Sequence, residues 1–273
     1  MLPLRVLQVS DLHAGTQEEP EVESDLRTLV AQSDPELVVA SGDLTHRNTG
    51  AQHRRAAELL RSLERPLLVI PGNHDIPRWP PWRFTRTFDE FRREWPELEP
   101  VYRSERLIAC GLNSVRPWKQ QGGAVRRAQL EHVRRVFSDA PRGAVRMVAV
   151  HHHLLGAPWR TVKRTIANRS SLLGALVDAG AELVVSGHVH QSAVSERREF
   201  EVVGGQVHGT TVVTAPGLGQ PRPKRRGEAR GLHLFEIDER SIRVLTYSWD
   251  EHLWAQIADR RFPRGLEPLG TVG

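Results

Sequence analysis

The sequence predicts an α/β fold, and three observations support this class. In the first two thirds of the chain, short apolar runs typical of buried strands alternate with segments of helical periodicity. Beyond His190 the alternation stops, and strand-like runs follow one another with only turns between them. No linker or repeat divides the 273 residues. We therefore expect one domain over residues 1–273, with a motif-bearing core at 4–190 and mainly antiparallel strands at 191–250.

The strands of the first part are predicted from apolar runs of strand length. These runs occupy residues 4–9, 37–40, 67–70, 107–112, 145–150 and 183–185. Chains that alternate strands and helices gather the carboxyl ends of their strands along one edge of a sheet, where ligands bind. The residues that follow these runs are therefore expected to meet at one rim.

Helices are predicted between the strands from apolar residues at helical spacing. The first two stripes are Val22, Leu26, Leu29 and Val30, and then Ala56, Leu59, Leu60 and Leu63. An aromatic stripe of Phe84, Phe88, Phe91 and Trp95 predicts a third amphipathic helix, with Phe84 in the core. Two more helices are expected at 126–137 and 171–179, the latter ending at Gly180 because glycine commonly stops helices.

The C-terminal third predicts a second sheet. Strand-like runs occupy residues 200–203, 209–214, 232–237 and 242–248 with no helix between them. The simplest interpretation is a second, mainly antiparallel sheet packed on the first. A basic loop with proline and glycine lies within it at residues 221–230.

Composition restricts the class of protein. Cys110 is the single cysteine, so no internal disulfide forms and a cytoplasmic location is expected. No run approaches about 18 consecutive apolar residues, and no charged and apolar leader precedes the first strand. We expect no membrane insertion. The formal net charge of +5 comes almost entirely from arginine, whose planar guanidinium matches phosphate. The sequence makes no prediction of oligomeric state.

Five short motifs with metal-binding side chains follow the apolar runs. They read Asp11-Leu12-His13, Gly42-Asp43, Gly72-Asn73-His74-Asp75, His151-His152-His153 and Gly187-His188-Val189-His190. One such motif arises easily by chance, but five in this order, each after a strand, do not. Imidazoles, carboxylates and an amide oxygen suit a first-row transition metal.

Strand geometry indicates how these residues share ions. Side chains two apart on a strand point the same way, so Asp11 and His13 can bind one ion together. His188 and His190 have the same spacing, although past a strand end they can diverge toward two ions. A carboxylate has two oxygens, so Asp43 can bridge two metals about 3.5–4 Å apart. The sequence therefore predicts a dinuclear metal centre.

The ordered set DxH, GD, GNHD, HH and GHxH resembles the calcineurin-like metallophosphoesterases, from Asp11 to His190. The resemblance implies a four-layer α-β-β-α sandwich of two packed mixed β-sheets flanked by helices. It implies that one ion is bound by Asp11, His13, Asp43 and His190. The other ion is then bound by Asp43, Asn73, His151 and His188. His152 is the alternative to His151, because a histidine triplet makes the alignment uncertain by one residue.

The resemblance also implies that His74 is a catalytic residue and not a ligand. In the family this histidine contacts the scissile phosphate and protonates or stabilises the leaving oxygen. A histidine beside Asn73 can donate to a developing alkoxide. Two divalent ions (Mn, Fe, Zn or a mixture) would lower the pKa of a bridging water, and the resulting hydroxide would attack phosphorus directly.

One departure narrows the reaction class. In phosphoprotein phosphatases of this superfamily the second motif is GDxxDRG, and its second Asp orients the catalytic His. Here His46 takes that place, which argues against a phosphoserine/threonine phosphatase and leaves the orienting partner of His74 to be found. The motifs are most similar to the bacterial branch with class III cyclic nucleotide phosphodiesterases. That branch usually has proline after the histidine doublet, where this chain has His153.

The leading interpretation is therefore a phosphodiesterase acting on a small phosphodiester, with a 3′,5′-cyclic nucleotide as the first candidate. A DNA nuclease of the same superfamily is an alternative, with nucleic acid the less favoured partner. A phosphomonoesterase and a nucleotide-lipid pyrophosphohydrolase are further alternatives. A non-catalytic scaffold is least favoured, because every ligand position and His74 are filled. Asn113 and Arg116 follow the strand at 107–112 and are candidate substrate-binding residues.

Three further segments are candidates for contacts with substrate. Trp79 and Trp82 follow the GNHD motif and either stack on a base or pack in the fold. The other two segments are basic and are more readily explained as solvated loops. They are Trp159, Arg160, Lys163 and Arg164 after the histidine triplet, and Arg222, Lys224, Arg225 and Arg226 in the late loop.

Overall fold

The computed structural model describes residues 2–16, 20–119, 121–158, 163–200, 206–219, 230–250, 252–264 and 266–268. Within these residues two mixed β-sheets pack face to face, and helices cover both outer faces. The predicted four-layer α-β-β-α sandwich is confirmed. Among the described residues, no helix combines the length and apolarity needed to cross a bilayer.

The described residues form thirteen strands and six helices. The strands are β1 (Leu4–Val9), β2 (Leu37–Ala40), β3 (Leu67–Val69), β4 (Val101–Arg103), β5 (Leu107–Leu112), β6 (Val145–Val150), β7 (Leu183–Ser186), β8 (Ala193–Phe200), β9 (Gln206–Thr214), β10 (Gly231–Ile237), β11 (Ser241–Trp249), β12 (Trp254–Pro263) and β13 (Leu266–Pro268). The helices are α1 (Pro20–Ser33), α2 (Gly50–Arg61), α3 (Trp82–Thr85), α4 (Asp89–Glu94), α5 (Arg127–Ser138) and α6 (Arg169–Asp178). The six strands predicted before His190 are all present, with bounds that agree within one residue.

The strands divide between the sheets differently from the prediction. The first sheet has the order β12-β11-β10-β1-β2-β3, and the second has β13-β9-β7-β6-β5-β4 with β8 paired to β9. The late strands therefore do not form a separate antiparallel sheet. β10 pairs antiparallel with β1, and β9 pairs parallel with β7, so these strands complete the two sheets that the early strands begin. An apolar run indicates a buried strand but not the edge to which it pairs. The strand predicted at 200–203 falls mostly on residues outside the described ranges.

The core has three layers of apolar side chains. Between the sheets, Val6 and Val39 meet Met147 and Val185, all buried. This double burial explains the continuous apolar runs in the sequence, because these strands contact protein on both faces.

Helices cover the two outer faces of the sheets. On the first sheet, α1 and α2 bury Leu26 and Leu60. On the second, α5 and α6 bury Phe137 and Leu176. The apolar stripes predicted for α1 and α2 therefore face the first sheet, as expected for amphipathic surface helices.

The aromatic stripe does not form the single helix that its spacing predicted. The chain makes two short helices instead, because Arg86 (φ −133°) and Phe88 (φ −121°) leave the helical region between α3 and α4. Phe91 is fully buried, but Phe84 is 56% exposed and is not a core residue. The prediction for Phe84 is wrong because the break between the helices turns α3 away from the face that Phe91 occupies.

His233 in β10 couples folding to pH. The ring is fully buried against Ser192 Oγ at 3.3 Å, and burial, with Arg260 contributing, lowers its pKa to about 3. An unfolded histidine has a pKa of about 6.5. Between these two pKa values the His233 ring is therefore protonated in the unfolded chain and neutral in the folded chain. The stability this group contributes is present above pH 6.5 and is lost as pH falls from there toward 3.

We expect His233→Gln to remove this part of the pH dependence. Between pH 6.5 and 4.5 the unfolding free energy of the unsubstituted protein should fall about 1.4 kcal/mol per pH unit more steeply than that of the variant. Urea unfolding at several pH values measures both slopes. The exposed His252→Gln serves as the control and should keep the original slope. Equal slopes for His233→Gln and the unsubstituted protein would show that His233 titrates normally.

Candidate metal centre

The predicted ligands follow strands of both sheets. On the first sheet Asp11 and His13 follow β1, Asp43 follows β2 and Asn73 follows β3, while on the second His151 follows β6 and His188 and His190 follow β7. The expectation of a single rim on one sheet is corrected, because β1 to β3 and β6 to β7 belong to different sheets. The side chains meet where the carboxyl ends of the two sheets face each other.

Hydrogen bonds between the sheets fix this meeting point. His151 donates from Nδ1 to the carbonyl oxygen of Ser41 at 2.8 Å. The backbone N–H of His188 donates to Asp11 Oδ2 at 2.9 Å. Each bond joins a loop of one sheet to a loop of the other. The first also presents the opposite ring nitrogen of His151, Nε2, to the centre.

The first group of candidate ligands is Asp11, His13 and His190. His190 Nε2 lies 3.1 Å from both Asp11 Oδ1 and His13 Nε2. One ligand atom from each of the three residues lies within 4.8 Å of the others, and all three side chains are buried. This spacing fits one ion bound by all three.

The second group is Asp43, His151 and His188, which satisfy the same 4.8 Å criterion. His151 Nε2 lies 3.3 Å from Asp43 Oδ1 and 3.2 Å from Asn73 Oδ1, so the amide oxygen of Asn73 joins this group. The other oxygen of Asp43, Oδ2, lies 3.9 Å from His13 Nε2 in the first group. Asp43 therefore directs one oxygen toward each group.

Unsatisfied buried atoms indicate that the centre is built for cations. Asp43 Oδ2 and both ring nitrogens of His188 have no hydrogen-bond partner among the described residues. Burying polar atoms without partners costs free energy, and native proteins rarely tolerate several at one place. Divalent ions would satisfy these atoms, and the oxygen and nitrogen donors fit Mn, Fe or Zn without selecting among them. We propose this ligand set for the two ions.

Two ligands of the second group, Asp43 and His188, have protonation states that favour cation binding. Burial acts to raise the pKa of Asp43, but the surrounding imidazoles of His151, His74 and His13 together outweigh it and hold that pKa well below the usual range. Burial, followed by the charge of Lys163, lowers the pKa of His188 well below its usual value. The carboxylate is therefore ionised and the His188 ring is neutral. Both are the forms that bind metal ions. At His151 burial acts to lower the pKa, but the carboxylates of Asp43 and Asp11 raise it to about 9, so a cation would have to displace a proton from this ring.

Backbone strain is concentrated at the same residues. Five of the non-glycine residues with left-handed φ angles are candidate ligands: Asp11 (52°), His13 (48°), Asp43 (52°), His188 (78°) and His190 (58°). Non-glycine residues adopt this conformation rarely, at a cost of about 1–3 kcal/mol each, and such residues cluster at functional sites. The hydrogen bonds of the loops hold them there. No pattern in the sequence predicts these angles.

His151 and His152 have different contacts in the structure. His152 is also buried, but its Nδ1 lies 2.8 Å from Ser114 Oγ. The histidine that contacts Asp43 is His151. His153 stacks on His188, with ring centroids 5.5 Å apart, so it occupies space beside the second group.

His74 lies at the edge of the first group. Its ring is nearly perpendicular to that of His13, with centroids 4.8 Å apart, and its backbone N–H donates to Asp43 Oδ1 at 2.8 Å. Its Nδ1 lies 3.0 Å from the carbonyl oxygen of His46. The orienting partner that the sequence left open is therefore a backbone carbonyl, at the position where phosphoprotein phosphatases carry Asp.

Asp75 is a positioning residue to which sequence analysis gave no role. Its buried carboxylate accepts hydrogen bonds from the backbone N–H groups of Gly72, Leu44 and Thr45, and from the Thr45 hydroxyl. These bonds tie the loop that carries Asp43 to the loop that carries Asn73 and His74. The place of Asp75 in the GNHD motif was a signal, but only the structure shows its four contacts.

The predicted substrate residues Asn113 and Arg116 are both buried. Arg116 donates to the carbonyl oxygens of Asn113 and Val115 and to Gln129 Oε1. These bonds attach the loop after β5 to helix α5. A role for either residue in substrate binding stays a prediction.

The other candidate segments are only partly described. Lys163 donates from Nζ to the carbonyl oxygen of His188, so it supports the loop of the second group. Trp159, Arg160, Arg222, Lys224, Arg225 and Arg226 lie outside the described residues.

Trp79 and Trp82 are 67% and 55% exposed, which corrects the alternative that they pack in the fold. Together with His74 and Asn73 they line an open cleft of about 1100 Å³ next to the metal centre.

Gly72 is predicted to tolerate no side chain. A Cβ at this position would lie 2.1 Å from the backbone nitrogen of Asp43 and 2.2 Å from Asp43 Oδ1. We expect Gly72→Ala to destabilise the protein by about 1–3 kcal/mol through overpacking and to weaken metal binding. Chemical unfolding and metal titration measure the two effects.

Gly174 in α6 provides the matched control. A Cβ there meets nothing within 4 Å, so Gly174→Ala should be neutral or stabilise by about 0.4–1 kcal/mol. Normal metal binding by Gly72→Ala would show that the Asp43 loop can move aside.

The sandwich, with two groups of carboxylate and imidazole ligands at its strand ends, defines a metal-dependent hydrolase. Residues 4–192 match the model of the family described as calcineurin-like phosphoesterase, and the chain belongs to this family. It is therefore a metal-dependent phosphoester hydrolase of a family that uses a dinuclear metal centre. The resemblance predicted from the sequence is confirmed.

Curated relatives are similar in sequence to this chain over about 70% of their length. The 3′,5′-cyclic adenosine monophosphate phosphodiesterase CpdA of Haemophilus influenzae is 23% identical over 215 residues, covering 73% of this chain and 74% of the relative. CpdA of Escherichia coli K12 is 27% identical over 201 residues, covering 69% and 70%. Among solved structures, purple acid phosphatase PPD1 from yellow lupin superposes with a TM-score of 0.67 at 14% identity, over 96% of this chain and 54% of that one. The last similarity shows the fold alone.

Proposed function

We propose that the protein is a dinuclear-metal phosphodiesterase that hydrolyses a small phosphodiester, with a 3′,5′-cyclic nucleotide as the leading substrate. The observation that carries this proposal is the position of Asp43 between the two ligand groups, with His74 beside it. The bacterial relatives named as cyclic adenosine monophosphate phosphodiesterases support the choice of substrate.

In the proposed hydrolysis, the metal ions and the side chains of the protein have different roles. When bound, the ions neutralise phosphoryl oxygens and acidify water. The chain supplies His74 as the general acid. A carbonyl oxygen only accepts hydrogen bonds, so the contact with His46 requires a proton on Nδ1 of His74. The protonated ring then donates from Nε2 to the leaving oxygen, and the same carbonyl stabilises the charged imidazolium.

The cleft suits an anionic substrate that carries an organic group. It is lined by five arginines, Arg47, Arg78, Arg83, Arg86 and Arg93. Two acidic residues, Asp89 and Glu90, also line it, so the lining has an excess of positive charge that favours an anionic substrate. Its volume of about 1100 Å³ accommodates a nucleotide.

The first experiment compares bis(p-nitrophenyl) phosphate with p-nitrophenyl phosphate in Mn²⁺. A diesterase hydrolyses the first well above the second. A preference for the monoester would establish a phosphatase instead. A panel of cyclic nucleotides, glycerophosphodiesters and nucleotide-lipid analogues then identifies the substrate. Binding of only one ion per chain under saturating Mn²⁺ would contradict the proposed dinuclear centre.

A DNA nuclease is the second candidate, and the arginines of the cleft are the observation that favours it. Binding to DNA through phosphate contacts weakens steeply as salt increases, because condensed counterions are released. Salt-sensitive cleavage of single- or double-stranded DNA would support this function. Inactivity on both would remove it.

A further inference from the structure

The segment after the GNHD motif places two tryptophans on the wall of the cleft that also contains His74. Trp79 is 67% exposed and Trp82 is 55% exposed, although indole rings are ordinarily buried for the most part. Both line the same cleft as His74 and Asn73. We call these two residues, with Arg78 and Arg86, the aromatic wall.

The aromatic wall is held in place by buried contacts. Arg83, between the tryptophans and Arg86 in sequence, is buried and donates from Nη1 to the carbonyl oxygen of Pro77 at 2.9 Å and from Nε to that of Pro117 at 2.6 Å. Phe91 in α4 is fully buried and anchors the far end of the segment. The exposed rings are therefore presented by a fixed backbone.

Each tryptophan is paired with an arginine. The guanidinium carbon of Arg78 lies 5.1 Å from the ring centroid of Trp79, and that of Arg86 lies 5.4 Å from that of Trp82. In the described part of the chain neither arginine forms an ion pair, so both keep their charge available. Stacked arginine and aromatic rings bind planar bases and the phosphate attached to them.

The position of the wall favours a ligand that also reaches the metal centre. A protein partner would need the surface outside the cleft, whereas the wall shares its cleft with the proposed general acid. A ligand spanning from the wall to the metal centre needs a flat ring at one end and a phosphoryl group at the other. A nucleotide has both, and a glycerophosphodiester lacks the ring.

We propose that Trp79 and Trp82, with Arg78 and Arg86, form the base-binding subsite of a nucleotide phosphodiesterase. This inference rests on the proposed function, because it assigns the organic part of that substrate. The wall contributes binding and orientation of the base, and it leaves the metal ligands and His74 unchanged. Its loss should therefore affect nucleotides and spare diesters that have no ring.

The test uses the Mn²⁺-loaded protein and the double variant Trp79→Ala/Trp82→Ala. For 3′,5′-cyclic AMP we expect kcat/KM to fall by about 10-fold or more, since base stacking on one aromatic side chain contributes that order of affinity. For glycerophosphoethanolamine, kcat/KM should be unchanged. As a readout independent of turnover, adenosine 5′-monophosphate should quench the tryptophan fluorescence of the unsubstituted protein but not that of the double variant.

Phe84→Ala is the matched control, because Phe84 is 56% exposed on the same helix and does not line the cleft. It should keep both activities and the quenching. Equal losses on both diesters would indicate a folding defect, and unchanged cyclic AMP hydrolysis by the double variant would remove the subsite. Hydrolysis of glycerophosphoethanolamine alone by the unsubstituted protein, without quenching, would overturn the base-binding subsite but leave the diesterase intact. Hydrolysis of neither diester, nor of bis(p-nitrophenyl) phosphate, would reject the proposed function itself.

Discussion

Replacing His74 by alanine is expected to reduce kcat by about 10²–10⁴-fold while two metal ions stay bound. The ring lies against His13, but it belongs to neither of the proposed ligand sets. Its backbone N–H, which bonds to Asp43, survives the substitution. His74→Ala therefore removes the proposed proton donor and leaves the proposed metal ligands unchanged. Steady-state kinetics with bis(p-nitrophenyl) phosphate and metal analysis of the same preparation give both results.

The chemistry of the leaving group sharpens this test. A general acid matters most for a poor leaving group, so the loss should be greater on cyclic AMP than on an ester of p-nitrophenol. His252→Ala, at an exposed position far along the chain, controls for the loss of a histidine. Rates near normal on both substrates would remove His74 from the mechanism. Loss of metal together with activity would make it a ligand.

Replacing Asp43 by alanine is expected to cost more than replacing His74, since it removes a contact to both proposed ions. Its two oxygens point toward different groups, and Oδ1 also accepts the backbone N–H of His74. We expect fewer than two ions per chain and a loss of turnover beyond the roughly 10⁴-fold upper range of a missing general acid. Inductively coupled plasma mass spectrometry after dialysis measures the ions.

Asp43→Asn separates charge from shape at this position. Asparagine keeps one oxygen for the backbone N–H of His74 but loses the negative charge that bridges two cations. It should therefore retain the fold and still bind metal poorly. The exposed Asp250→Ala is the control and should bind metal normally. Two tightly held ions in Asp43→Ala would refute the bridging role.

Much of the fold and of the site was predictable because the local patterns are strong. Strands buried on both faces appear as unbroken apolar runs, which is why β1, β2 and β5 to β7 agree with prediction. The side chains in GNHD and GHxH can be recognised in the sequence as candidate metal ligands, because amides, carboxylates and imidazoles bind metal ions. Their placement after strands then brings them to the carboxyl ends without further information.

What the sequence did not reveal depends on tertiary structure. Nothing in β10 states that it pairs with β1, because an apolar strand suits any free sheet edge. The aromatic spacing from Phe84 to Trp95 suits a helix, yet the turn at Arg86 overrides it. No sequence pattern indicates that the guanidinium of Arg116 donates to the carbonyl oxygens of Asn113 and Val115. The contact of His151 with Asp43, which favours His151 over His152 as the predicted ligand, likewise appears only in the structure.

The placement of the centre between two sheets has a mechanical consequence. An ion held by Asp43 from one sheet and His151 from the other is a non-covalent cross-link through the middle of the sandwich. The sheets could then slide or separate only after coordination is broken. Because separation of the sheets would require release of the ion, the rate at which a labelled ion exchanges into the protein would set an upper limit on how fast the sheets separate.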